Sequence, residues 1–178
     1  MKKFSLAMGV AAMALVTCIS HDVLATTATA KMEVSATVQA SCSIETTPLS
    51  FGVYRPTDSA GISSQAPFTL KCSDGLAPKV SILKGNSIDA AGIRTMANAD
   101  NTATLDYTLY QPETTAPNAV CNTSGTIDSS KIWGETTDLA LTGLSFAGST
   151  YNICGFLGAK QNKPAGLYTD TVTVSVSF

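Results

Sequence analysis

The sequence predicts an all-β chain folded as an antiparallel β-sandwich, and three observations carry that expectation. Apolar residues recur at every second position in several short runs, no window sustains a helical period, and Gly, Pro, Asn and Asp punctuate the runs at short intervals. Thr, Ser, Val, Ala and Gly dominate beyond the first residues, which suits pleated, half-buried strands.

The opening stretch sets the compartment. Lys2 and Lys3 precede an apolar run from Phe4 to Val16, and Val23-Leu24-Ala25 closes the polar stretch after it in the small-residue pattern that signal peptidase cuts. The run is too short to span a bilayer, so residues 1-25 are expected to be a secretory signal peptide. Ala28-Thr29-Ala30 is a second, less favoured site, because cutting there would remove part of an alternating segment. Thr17 stands where a lipidation site usually has Gly, Ala or Ser, which argues against lipid attachment at Cys18.

Cleavage leaves about 150 residues, the size of one domain with a sizeable core. No later stretch is long and apolar enough for a membrane helix, so no integral membrane segment is expected after signal cleavage. The whole chain has a formal charge of −2 at pH 7, and losing Lys2, Lys3 and Asp22 makes the remainder one unit more negative. So weakly acidic a chain, poor in charge, gives no reason to expect nucleic acid or anionic lipid as a partner.

The strands follow in order. Between Ala28 and Val38 the apolar or small positions are Ala28, Ala30, Met32, Val34, Ala36 and Val38, separated by Thr29, Lys31, Glu33, Ser35 and Thr37. Leu49, Phe51 and Val53 alternate ahead of Pro56. Phe68, Leu70 and Cys72 share a face after Pro67, and Val80 with Ile82 follows Pro78. Ile93 and Met96 suggest a brief strand inside the Ala-, Asn- and Gly-rich stretch 86–101. Leu105, Tyr107 and Leu109 make another set, then Tyr151, Ile153 and Gly155 with Phe156. The last run is the clearest: Val172, Val174, Val176 and Phe178 face one way, Thr171, Thr173, Ser175 and Ser177 the other. Pro112 to Ser130, rich in Thr, Asn, Ser and Pro, reads as a loop that Cys121 could tie down. There is no internal repeat.

Candidate chemistry is sparse. His21, the only histidine, is expected to leave with the signal, so neither a Ser-His-Asp nor a Cys-His set can be assembled. Asp100, Asp106, Glu113, Asp128, Glu135, Asp138 and Asp170 fall in or beside turns, where Asp commonly caps backbone, and are not read as a glycosidase pair. Trp133 and the tyrosines at 54, 107, 110, 151 and 168 could stack on a sugar, but they read first as core in a chain poor in Leu and Ile. Cys42, Cys72, Cys121 and Cys154 remain after cleavage, an even set for an oxidising compartment. Four cysteines allow three pairings, and spacing does not choose among them. None stands in a CxxC spacing, so no metal and no cofactor is expected, and the chain is not read as an enzyme.

In their order and intervals several segments resemble the spore coat U domain family, which includes subunits of archaic chaperone-usher pili. They are Val34-Ser35-Ala36-Thr37-Val38-Gln39-Ala40-Ser41-Cys42-Ser43-Ile44, Leu49-Ser50-Phe51-Gly52-Val53-Tyr54, Phe68-Thr69-Leu70-Lys71-Cys72, Arg94-Thr95-Met96, Leu105-Asp106-Tyr107-Thr108-Leu109-Tyr110 and Ile132-Trp133-Gly134. The ending Gly166-Leu167-Tyr168-Thr169-Asp170-Thr171-Val172-Thr173-Val174-Ser175-Val176-Ser177-Phe178 completes the match.

The resemblance implies an immunoglobulin-like antiparallel β-sandwich that is incomplete, lacking its final strand, with residues 26-39 as an N-terminal donor strand and 40-178 as the body. It implies that Cys42 pairs with Cys72. Cys121 and Cys154 depart from the family pattern and are expected to pair with each other. Each bridge closes a loop of about 30 residues, worth roughly 3–4 kcal/mol in the chain-entropy account. The resemblance further implies a structural pilin: a periplasmic chaperone completes the subunit, an outer-membrane usher assembles it, and the alternating residues Ala28 to Val38 replace the chaperone in a neighbouring pilin subunit. Val172, Val174, Val176 and Phe178 would border the acceptor groove and contact the chaperone, with the terminal carboxylate as an anchor. Export through the periplasm to a surface fimbrium, with a role in adhesion and biofilm formation, follows from the same likeness. The competing expectations are a secreted coat or matrix protein that folds as a closed monomer and a carbohydrate-binding module.

Overall fold

Alternation becomes ladders over most of the body. The computed structural model describes residues 26–83, 85, 93–124, 126–134, 138–141 and 144–178; the expected signal, 1–25, and part of the 86–101 stretch lie outside the described residues. The strands are Cys42–Thr46 (β1), Ile62–Cys72 (β2), Lys79–Ile82 (β3), Arg94–Asn98 (β4), Thr104–Tyr110 (β5), Leu139–Ala140 (β6), Ser149–Leu157 (β7), Tyr168–Thr169 (β8) and Val174–Ser177 (β9). All their ladders are antiparallel. A six-stranded sheet has the order β1-β2-β7-β5-β4-β8, and a three-stranded sheet has the order β6-β3-β9. Among the described residues no helix is long and apolar enough to cross a membrane.

The period of two decides what each strand buries. In β2, Ala66, Phe68, Leu70 and Cys72 are buried while Gln65, Pro67 and Lys71 are exposed. Phe68 stacks on Tyr151 of β7 with ring centroids 5.5 Å apart, and Leu105, Tyr107 and Leu109 of β5 extend the same face. Val80 and Ile82 of β3 and the buried Trp133 close over it, so one core joins the two sheets. Buried Arg94 of β4 reaches across, donating to the carbonyls of Ile82 at 2.8 Å and Leu83 at 2.7 Å. A charge so placed is tolerated because its donors are met by carbonyls.

The opposite face of the large sheet carries a smaller cluster. Cys154 of β7 is bonded to Cys121, with Tyr110 packed beside them. The bond ties down the 112–130 stretch, which Asn118 N–H and Asn152 Nδ2 also tack to β7 through the carbonyls of Thr150 (2.8 Å) and Ala119 (2.9 Å). The other bridge, Cys42–Cys72, spans directly opposed residues of β1 and β2 with Cα atoms 4.1 Å apart. Both pairs are thus the expected ones.

Two alternating runs did not become strands. Leu49, Phe51 and Val53 lie outside any ladder: Gly52 turns the backbone to a φ of +71° and Val53 is 75 % exposed. The short strands β6 and β8 arise where the sequence shows no alternation, because tertiary pairing defines them. Residues 26–37 fall in the first of two units, which is divided from the body at Val38. They are exposed throughout and belong to no strand.

Candidate functional site

The body is open along one side. Inner-face residues of four strands, Ala66 of β2, Ile153 of β7, Tyr107 and Leu109 of β5 and Met96 of β4, form the floor of a cavity of about 490 Å³. A second cavity of about 570 Å³ lies over Leu105 and Leu157. The two share Leu49, Phe51, Met96, Tyr168 and Thr169, and so form one elongated apolar groove.

Each lip has a physical reason for its position. The β1–β2 ladder stops at Thr46↔Phe68, so residues 47–53 leave the sheet while β2 continues against β7 to Ile62↔Leu157. Pro67 stands where β2 has lost its β1 partner, a position that accommodates a missing backbone donor. Its carbonyl accepts Thr47 N–H at 3.2 Å, and Ser50's carbonyl accepts the Ser64 hydroxyl at 2.6 Å. Leu49 and Phe51 then fold onto Gly155 of β7, where a Cβ would come within 3.0 Å of both side chains. Phe51 meets Tyr107 edge-on at 6.2 Å.

The facing lip is the chain from 163 to 174, which crosses from β8 in the large sheet to β9 in the small one. Asp170 fixes the crossing by accepting the Tyr107 hydroxyl at 2.6 Å. Burial and the Asp170 carboxylate together push the Tyr107 phenol up from its ordinary value, so the proton stays on the oxygen. At the far end Tyr54 Oη accepts Gln161 N–H at 2.7 Å, and the Gln161 amide bonds both N–H and C=O of Asp106.

β9 pairs with β3 on one side only, and among the described residues its other edge has no strand partner. Val172 and Val174 line the groove beside that edge. Val176 is half-buried opposite Val80, and Phe178 lies past the strand, 57 % exposed. Of the N-terminal residues, Met32, Val34 and Val38 are 84, 80 and 88 % exposed, and Ala28, Ala30 and Ala36 are exposed with them. Sequence reasoning assigned no groove role to Leu49, Phe51, Met96, Tyr107, Tyr168 or Asp170. The sequence reads Leu49, Phe51 and Met96 as strand positions, Tyr107 and Tyr168 as core aromatics and Asp170 as a turn carboxylate, and no local signal joins them into one site. Among the considered carboxylates, Asp128 accepts the backbone N–H and hydroxyl of Ser130, which hold it below the ordinary aspartate range. It caps the 3₁₀ turn Ser129–Lys131.

A two-sheet antiparallel sandwich with an apolar groove beside the outer edge of β9 defines the class: an immunoglobulin-like β-sandwich domain. The Spore Coat Protein U domain model matches residues 28–175, and the chain belongs to that family. Among solved structures it is similar to the CsuC–CsuE chaperone–tip adhesion subunit pre-assembly complex from archaic chaperone-usher Csu pili of Acinetobacter baumannii. The TM-score is 0.55 at 24 % identity, over 80 % of this chain and 40 % of that one. The chain thus spans well under half the length of that structural relative. No curated protein matches it.

Proposed function

We propose that the protein is a structural subunit of an archaic chaperone-usher pilus that polymerises by donor-strand exchange. One observation carries the reading: a single chain holds both an open apolar groove beside an unpaired β-edge and an alternating segment, residues 28 to 38, that belongs to none of its own ladders. An unpaired edge above exposed apolar surface costs free energy and invites association. A strand laid along β9 would satisfy the edge with backbone bonds and fill the trough with every second side chain. Ala28, Ala30, Met32, Val34, Ala36 and Val38 are the side chains that such a strand presents.

The structural relative contains a chaperone, and we extend that class of partner to this chain: a periplasmic chaperone occupies the groove first, and an outer-membrane usher then exchanges it for the next subunit's extension. Export to a surface fimbrium serving adhesion and biofilm formation completes the proposal. Deleting residues 26–38 tests it. The shortened subunit should still copurify with its chaperone and should terminate polymers, with no subunit added through its missing strand. Fibres of normal length built from the shortened chain alone would refute the proposal.

A further inference from the structure

We infer that the exposed apolar side chains at opposite poles of the body, Phe146 at one and Val53 with Leu167 at the other, meet between successive copies of this chain. The inference rests on the donor-strand reading and adds a second, non-strand contact to it. Phe146 is 84 % exposed on a turn beside Ser41, Cys42, Cys72 and Ser73, where the chain enters β1. Val53 and Leu167, 75 and 78 % exposed, sit on the two lips of the groove next to Leu157.

The β2–β7 ladder measures how far apart these places are. It runs from Ile62↔Leu157 to Leu70↔Ser149, eight residue steps or roughly 26 Å at strand rise. The groove follows the same direction. Its Val53–Leu167 mouth lies at the Leu157 end, and its Thr46–Val174 end lies toward the Phe146 pole.

Polymer geometry fixes which end receives the neighbour. An extension leaves its own body at Ser41, on the Phe146 pole. If it entered a neighbour's groove from that neighbour's Phe146 end, like poles would face and the pair could close on itself. Entry through the Val53–Leu167 mouth instead sets unlike poles together, a heterologous contact that repeats without closing. Val38, the last of the alternating residues, is four residues from Cys42, a span of at most about 14 Å when extended. With Val38 at the mouth, no more than about 14 Å of chain separates the Phe146 pole from Val53 and Leu167, a gap that these side chains are inferred to close. Three large apolar side chains that water covers in the single chain would thereby be sheltered.

The test uses fibres of the full chain assembled in its own host. Phe146→Cys with Leu167→Cys, both at exposed positions, is treated with a short bismaleimide and the fibres are then dissociated in hot denaturant. Covalent ladders of dimers and higher multiples, absent from either single variant, are expected. Phe146→Asp should leave assembly dependent on residues 26–38 while lowering the fibre's persistence length at least twofold. Monomers only from the double variant, or unchanged stiffness in Phe146→Asp, in fibres that still require residues 26–38, would overturn the pole contact and leave donor-strand exchange standing. Fibres that form without residues 26–38 would overturn both.

Discussion

Strands β2 and β9 carry the same alternation and meet different fates. Phe68 and Leu70 of β2 are 1 and 0 % exposed between two ladders, whereas Val174 and Val176 of β9 remain half-buried beside one. The difference teaches that alternation names the apolar face of a strand and does not say what covers it. In β2 the cover is the protein's own strands on both sides; along β9, among the described residues, one edge has no strand partner.

That contrast can be broken by mutation. Phe68→Ala should cost about 3–5 kcal/mol, as for large aromatic truncations in closed cores, with the same loss whether or not a peptide of residues 26–40 is supplied. Guanidinium unfolding with and without the peptide measures it, and a peptide-dependent loss would erase the distinction between the regions. Tyr107→Phe removes the bond to Asp170 that holds the groove's lip. It should cost about 2 kcal/mol, the range for a hydrogen bond to a charged group.

Alkaline titration sharpens the same point. The folded chain holds the Tyr107 proton more tightly than the unfolded one, whose value is near the ordinary 10.0. Its contribution is therefore complete below pH 10 and lost as pH rises above it. Tyr110 and Tyr151, both raised first by burial, add to the slope. Stability should fall above pH 10 less steeply in Tyr107→Phe than in the parent.

Val174→Ala separates the open side from the closed one most finely. The free chain should lose no more than about 1 kcal/mol, because the side chain is only half covered. Affinity for the 26–40 peptide, followed by calorimetry, should fall roughly tenfold for the same methyl groups once they are enclosed. Equal effects on folding and binding would show that β9 is already as closed as β2. Glu45→Ala breaks the exposed Lys71–Glu45 pair, 3.7 Å apart, and should change unfolding by less than about 0.5 kcal/mol.

Much of the frame was legible because local chemistry agrees with tertiary pairing there. Phe68-Thr69-Leu70, Leu105-Asp106-Tyr107 and Tyr151-Asn152-Ile153 alternate, and each lies in a strand of the large sheet. The groove was less legible. Its lip at Leu49 and Phe51 depends on a distant vacancy, the missing Cβ of Gly155, and on a ladder that ends at Thr46. The other lip depends on Tyr107 and Asp170 meeting across sixty-three positions of sequence. No window of local pattern contains either pair. The terminal valines, by contrast, were legible as an apolar face, and Val172 and Val174 do line the trough.

The Cys42–Cys72 bond acquires a mechanical meaning from its location. Tension applied through an N-terminal extension reaches the body at its first strand residue, and there β1 is welded to the last residue of β2. Without the weld, such a pull would bear on the five edge-strand residues of β1 and their single ladder alone. With it, the force passes at once into a strand held on the other side by β7, and must shear that ladder to advance.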